Sequence, residues 1–292
     1  MKNNLFYKFY VYQNERFPLI VLAISLLPAV LSSSVIVESA ASVPKIGLTV
    51  LIAILYLLHV RLLDDRRDFL HDNKFHKDRP VQMGIISKKE LISIDILIVP
   101  LLVLLALLSG PLALLLMLLL ISFSYFAEQN FHIGSFLSRH FFLYNLLNTC
   151  QTIGLQIFIY FFLNSKLEIN NLLFLHFLFT CLGTLVFEFA RKVKRPGKDG
   201  SGKDTYTHFL GFRKSIFAYL FLCCINLSIF LAIATIIAKD SSGIVVGTIL
   251  AAILILGTSI FHLKKKEAYS EKIMQLSFIL SYAVCNLVIF LL

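Results

Sequence analysis

The chain has 292 residues, of which 58% are hydrophobic and 15% charged, with a mean hydropathy of +0.82 and a formal net charge of +10 at neutral pH. Leu, Ile and Phe recur in blocks too long and too continuous for the core of one soluble domain, which excludes a water-soluble fold and points to lipid as the solvent.

Nine apolar spans are predicted, at about residues 17–37, 46–62, 91–108, 111–126, 141–163, 172–190, 216–238, 243–262 and 273–292, each near the length that crosses a bilayer as a helix. With the N-terminus in the cytoplasm, every Lys and Arg except Lys45, Lys166 and Lys239 falls on the cytoplasmic side. That skew is the positive-inside pattern. The basic excess therefore encodes topology and contact with membrane lipid, and gives no support to nucleic acid as a partner. Asn3 to Arg16 is polar and aromatic without a small-residue cleavage site, so no removable signal peptide is expected. Cys150, Cys181, Cys223, Cys224 and Cys285 lie inside apolar runs without metal-ligand spacing, and buried thiols are expected rather than disulfides or zinc.

The first helix begins after Pro18, a residue suited to a first helical turn. The second runs into the stretch Leu63 to Glu90, LDDRRDFLHDNKFHKDRPVQMGIISKKE. On helical geometry Asp65, Asp68 and Asp72 fall within roughly 60° of one another on one face. Three like charges there repel unless a cation sits between them. Mg²⁺ suits that position because it takes carboxylate oxygens and shares its shell with substrate phosphates. The alternative is a solvated, mixed-charge loop in which Arg66 and Arg67 screen the acids. Pro80 then interrupts regular helix, and Ser87 and Glu90 have the spacing of a capping box that starts the third helix. Asp95, about two turns into that helix, is expected to pair with a loop cation. The spacing of His59, His71 and His76 matches no recognised ligand set, and surface or phosphate contacts are expected of them.

Ser109-Gly110-Pro111 reads as a tight turn, and Glu128 to His140 as a short polar connection. On the fifth helix Asn145, Asn148, Thr152 and Gln156 form one polar stripe, which in lipid faces the bundle interior. It serves either helix–helix hydrogen bonding or the lining of a substrate cavity. The sixth helix ends at Glu188, Arg191 and Lys192, and a long polar loop follows to Lys214. In that loop Asp204-Thr205 caps a short helix that Gly211 terminates. The two large polar loops follow the second and the sixth helix, so the chain reads as two four-helix halves plus a ninth helix. Internal repeats of this kind commonly place the working site where the halves meet.

The stretch from Leu63 resembles the first signature of the UbiA superfamily of intramembrane prenyltransferases, Asn-Asp-x-x-Asp-x-x-x-Asp followed by Arg-Pro and a Gly-x-Ile-Ser run. Asp64 stands where the Asn would be, while Asp65, Asp68, Asp72, Arg79-Pro80 and Gly84-Ile85-Ile86-Ser87 match. The second signature is an Asp-x-x-x-Asp pair after the sixth helix, then Gly-x-x-Ser/Thr and a terminal Gly. Gly202, Thr205 and Gly211 match its latter part. Glu188 and Lys192 stand in place of the acidic pair, with Lys194 and Lys198 close by and Asp199 and Asp204 the nearest loop acids. The chain thus looks like a divergent branch of the superfamily.

The resemblance implies an all-α integral membrane protein, with nine transmembrane helices in a UbiA-like bundle around a central cavity. One domain would span residues 1–292, with active-site loops on the cytoplasmic side. It further implies a Mg²⁺-dependent prenyltransferase that ionises an allylic prenyl diphosphate and passes the prenyl group to an aromatic or lipid-like acceptor. Asp65, Asp68, Glu188 and Lys192 would be catalytic, and Asp64, Asp65, Asp68, Asp72 and Glu188 would hold metal. Lys77, Arg79, Arg191, Lys192, Arg195 and Asp204 would bind diphosphate, and Asn145, Asn148 and Thr152 would line the cavity. Arg fits phosphate oxygens bidentately, so the basic second motif trades part of a metal role for direct diphosphate pairing. That departure, with Asp64 in place of Asn, keeps an alternative open, a UbiA-type terpene cyclase that needs no separate acceptor.

Overall fold

The structure, a computed structural model, describes residues 4–39, 41–195, 204–237, 242–264 and 269–292. In chain order the helices are α1 (Leu5–Arg16), α2 (Leu19–Ile36), α3 (Val43–Arg67), α4 (Phe69–Phe75), α5 (Lys88–Leu107), α6 (Pro111–Glu128) and α7 (Gly134–Leu137). They continue with α8 (Phe141–Leu163), α9 (Asn171–Arg191), α10 (Tyr206–Leu210), α11 (Phe212–Ile237), α12 (Ser242–Lys264) and α13 (Tyr269–Leu291). Among the described residues, nine of these are long and apolar enough to cross a membrane: α2, α3, α5, α6, α8, α9, α11, α12 and α13. The protein is a multi-pass integral membrane protein.

The crossings fall where the apolar spans predict them, with two additions. α3 continues to Arg67, past the predicted end at residue 62, because arginines neutralise the acids of its last turn. The polar-aromatic N-terminal segment is itself a helix, α1, capped by the Asn4 side chain, which accepts from the Phe6 amide at 3.0 Å.

The chain forms two compact units, one of residues 1–23 and 47–165, the other of residues 24–46 and 166–292. Crossings two to five make up the first unit, and the first crossing joins the last four in the second. In the first unit α6 packs on α5 and on α8. Ile52, Tyr56 and Leu62 of α3, Leu91 and Leu102 of α5, Met117 of α6 and Phe158 of α8 are fully buried there. Ser87 starts α5 with a complete capping box: its side chain accepts from the Glu90 amide while the Glu90 carboxylate accepts from the Ser87 amide at 2.8 Å. Gly110 adopts φ 102°, open to glycine, and Pro111 opens α6, which accounts for the tight turn between these two crossings.

In the second unit α13 packs on α9 and α12, and α11 packs on the same two. A Cβ at Gly183 of α9 would stand 2.5 Å from the Tyr282 ring, so the missing side chain lets α9 and α13 approach closely. Lipid supplies no hydrogen bonds, so buried polar groups find partners inside. Ser32 of α2 meets His176 Nε2 at 3.0 Å and Asn286 Oδ1 at 2.6 Å, and Asn226 donates to the Phe179 carbonyl at 2.8 Å. Ile96, Leu97, Phe217, Phe221 and Ile253 are exposed, the surface expected of helices that face lipid.

Candidate active site

The acidic stretch lies in the first unit, at the end of α3 and through α4. Backbone bonds run unbroken through it, from the Asp68 amide to Asp64 O at 2.9 Å and from the Asp72 amide to Asp68 O at 2.8 Å. Asp68 itself takes φ −85° and ψ 4°, off the helical values. Because the bonds continue across it, this departure does not relieve the repulsion among Asp65, Asp68 and Asp72.

Instead, each acid has an arginine. Asp65 is buried and ion-paired with Arg16 at the end of α1, whose Nε stands 3.2 Å from Oδ2; Arg61 Nη2 lies 3.6 Å from Oδ1. Burial, with Arg61 adding to it, lowers the Arg16 guanidinium from its ordinary value, and Asp65 opposes that by stabilising its charge. Asp72, also buried, is ion-paired with Arg79.

Asp64 and Asp68 are the two more exposed acids, and they share one cation. Arg67 Nη2 is 2.9 Å from Asp64 Oδ1, and Arg67 Nε is 2.9 Å from Asp68 Oδ1. Nη1 of the same guanidinium donates to Asn148 Oδ1 at 3.1 Å, and the group lies 5.4 Å from the centre of the Tyr144 ring. Asn148 is thus a helix–helix partner of Arg67. Two other residues of the polar stripe bond to their own helix: Asn145 donates to the Phe141 carbonyl at 2.9 Å and Thr152 to the Thr149 carbonyl at 2.8 Å.

Arg66 does not screen the acidic stretch but turns to a separate buried network. His59 Nδ1 is 2.6 Å from Asp95 Oδ1 and its Nε2 is 2.9 Å from Ser124 Oγ; Tyr125 donates to Asp95 Oδ2 at 3.2 Å. Arg66 lies 3.6 Å from Asp95 and 2.9 Å from Glu128. Asp95 does pair with a cation, but that cation sits on a helix end and not in a loop, and His59 is buried and not on the surface.

In the second unit Glu188, near the end of α9, is held by two cations. Arg191 grips it through Nε at 3.0 Å and Nη2 at 2.8 Å, and Lys192 Nζ is 3.1 Å from the other oxygen. One carboxylate with two cations leaves an excess positive charge, and Arg191 is the most exposed of the three. The stretch after α9 is fixed by the Tyr206 amide, which donates to Lys192 O at 3.0 Å, and by the Tyr206 ring, stacked on Phe189 with centroids 4.0 Å apart. Burial pushes the Tyr206 phenol up. Thr205 caps α10, accepting from the His208 amide at 3.2 Å, and Gly211 ends it at φ 80°.

Arg195, expected to bind diphosphate, is engaged within the fold of the second unit. It is buried, donates to the His262 carbonyl, reaches Ser270 Oγ at 3.3 Å and offers its amide to Glu271 at 3.1 Å. Lys194 pairs with the same Glu271 at 2.9 Å. Lys77 is exposed just beyond α4, and Asp204 is half-buried immediately before the Thr205 cap. Lys198, Asp199 and Gly202 lie outside the described residues.

Sequence spacing misses Arg16 as a partner of the acids, because it does not show α1 as a helix, and it passes over Arg61, one turn before Asp65 on α3. It also set aside His71 and His76. Among the described residues, they and Asp72 are the one group of three metal-ligating side chains whose ligand atoms all lie within 4.8 Å of one another.

Residues 25–281 match the profile of the UbiA prenyltransferase family. Among solved structures, the fold is similar to that of a UbiA homologue from Aeropyrum pernix K1, with a TM-score of 0.67 at 14% identity over 90% of this chain and 96% of that one. It is similar too to a UbiA homologue from Archaeoglobus fulgidus bound to DMAPP and Mg²⁺, with a TM-score of 0.60 at 14% identity over 94% and 98% of the two chains. A digeranylgeranylglyceryl phosphate synthase gives a TM-score of 0.60 at 15% identity over 98% and 99%. No protein of curated function matches the sequence.

Proposed function

Because the chain belongs to the UbiA prenyltransferase family, we propose that it ionises an allylic prenyl diphosphate with the help of Mg²⁺ and transfers the prenyl group to an aromatic or lipid-like acceptor. At the coarser level it is an intramembrane enzyme of the prenyltransferase kind. The observation that carries the finer reading is the Arg67 guanidinium shared by Asp64 and Asp68. Two hard carboxylates there already face one cation position, and one or two carboxylates plus phosphate oxygens are what Mg²⁺ takes from a protein. The residues present fit the ion, with Asp64 and Asp68 as its protein donors. The homologue from Archaeoglobus fulgidus bound to DMAPP and Mg²⁺ supports the same pairing of substrate and metal.

When bound, magnesium supplies Lewis-acid withdrawal of electrons from the departing diphosphate. Glu188 holds Arg191 and Lys192 side by side. Their charge-assisted hydrogen bonds pair with phosphate oxygens, and Arg191 adds a bidentate fork. Cations fixed in advance stabilise the negative charge that develops on the leaving group without reorganising at that moment. Arg79, anchored on Asp72, and the exposed Lys77 add positive charge beside the acidic stretch. Asp65, locked on Arg16, positions the end of α3. The apolar walls of the helices keep water from the allylic cation until the acceptor captures it. The Lys and Arg skew supports a cytoplasmic N-terminus with these motifs on the same side, and we read residues 1–292 as one prenyltransferase domain.

The test is to incubate the purified protein in detergent with Mg²⁺ and a panel of prenyl diphosphates, with and without aromatic acceptors, and to identify products by mass spectrometry. A prenylated acceptor, lost with EDTA and in Asp68→Ala, is the expected result. Hydrocarbons or alcohols formed without any acceptor would replace transfer by cyclisation. Turnover that persists in EDTA would remove the metal.

A further inference from the structure

We propose that His71, Asp72 and His76 form a site for a transition-metal dication of the zinc class, distinct from the magnesium position on Asp64 and Asp68. The three residues sit where α4 ends. His71 and Asp72 are neighbours on the helix, and His76 is its C-cap, returned towards them by the bond from its amide to Asp72 O at 2.8 Å. One ligand atom from each lies within 4.8 Å of the other two, and the two imidazole rings stand 5.8 Å apart.

Donors about 2.0–2.1 Å from a tetrahedral ion stand about 3.4 Å from one another. Closing this set thus takes little more than about an ångström of side-chain movement, which the half-buried imidazoles supply by rotation.

The carboxylate is oriented beforehand. Asp72 is buried, and Arg79 holds its Oδ2, while Oδ1 lies 3.6 Å from His71 Nδ1. A hydrogen-bonded outer partner of this kind fixes a ligating carboxylate and strengthens metal binding. Two imidazole nitrogens with one carboxylate oxygen select Zn²⁺, Co²⁺ or Ni²⁺ over Mg²⁺, which prefers oxygen. Three protein ligands leave a fourth position for water. The ion ties the last turn of α4 to the residue that leaves it. Through the unbroken backbone bonds from Asp64 to Asp72, it also fixes the segment that carries the acids.

Zinc binding is independent of prenyl transfer, so a failed turnover assay leaves it standing. The full-length chain, without an affinity tag, is titrated in detergent with Co²⁺, whose visible absorption reports nitrogen ligation, and then with Zn²⁺ as competitor. One equivalent per chain is expected, undisturbed by millimolar Mg²⁺. His71→Ala and His76→Ala should each weaken it at least about 10-fold, and Arg79→Gln about 10-fold through the outer shell. His140→Ala, a change to an exposed histidine outside the cluster, should leave binding unaltered. Should Asp72→Asn fail to fold, the two histidine variants still decide, because those side chains are not part of the buried core. Wild-type affinity in both, or no Zn²⁺ bound at millimolar concentration, overturns the site.

Discussion

Replacing Arg67 by Ala separates a structural ion pair from a cation position. Its guanidinium stands 2.9 Å from both Asp64 and Asp68, so in the wild type a divalent ion on those acids must bind beside, or displace, a positive charge. Two unit charges 4 Å apart interact by about 1 kcal/mol in water. Removing a single charge from beside a divalent ion therefore relieves about 2 kcal/mol of repulsion, about a 30-fold gain in Mg²⁺ affinity at low salt. Screening at physiological ionic strength reduces this to about 10-fold. Without metal the same change destabilises the protein, because two acids lose their partner. Both are partly exposed, so the loss is about 2 kcal/mol, between the values for open and buried pairs. The assay is thermal unfolding in detergent across a Mg²⁺ titration. Arg67→Ala should unfold earlier without the ion and gain more from it than the wild type. Asp68→Asn in the same background should abolish the gain. Equal or weaker Mg²⁺ stabilisation of Arg67→Ala would refute Asp64 and Asp68 as the metal donors.

Asp95→Asn should lower stability by about 2–4 kcal/mol, because it breaks a buried, charge-assisted bond to His59 and leaves Arg66 without one of its two acids. A shift below about 0.5 kcal/mol, the range of an ordinary surface change, would contradict that network. Lys192→Ala should raise KM for the prenyl diphosphate with little change in unfolding. Arg195→Gln should do the reverse, lowering the unfolding midpoint while KM holds, since its guanidinium bonds to His262 and Ser270; the opposite pair of results would exchange their roles.

Much of the architecture is legible in the chain because lipid imposes simple rules. Length and hydropathy place the nine crossings, and the capping box at Ser87, the turn at Gly110 and the cap at Thr205 are local enough to read from spacing. The site is harder, since its partners are distant in sequence. Asp65 is paired by Arg16, from a helix whose aromatic-polar composition gives no amphipathic pattern to read. The stretch Asp65–Asp72 gives no sign of which cation sits on which acid, since Arg16, Arg67 and Arg79 reach them from α1, from α3 and from beyond α4. His71 and His76 miss helical spacing because the chain leaves α4 between them, and that turn is what joins them. Asn148 and Thr152 look alike on a helical wheel, yet one meets Arg67 and the other its own backbone.

The arginines that sit on Asp64, Asp65, Asp68 and Asp72 have a practical consequence for handling the protein. The four acids and four arginines, Arg16, Arg61, Arg67 and Arg79, all belong to the first unit, so their charges balance there without borrowing from solution. Chelators in the extraction buffer should strip metal and leave a folded, monodisperse apoprotein. Deletions that remove α1 through Arg16 should instead leave the buried Asp65 with Arg61 alone, at 3.6 Å, and lower stability however much magnesium is supplied.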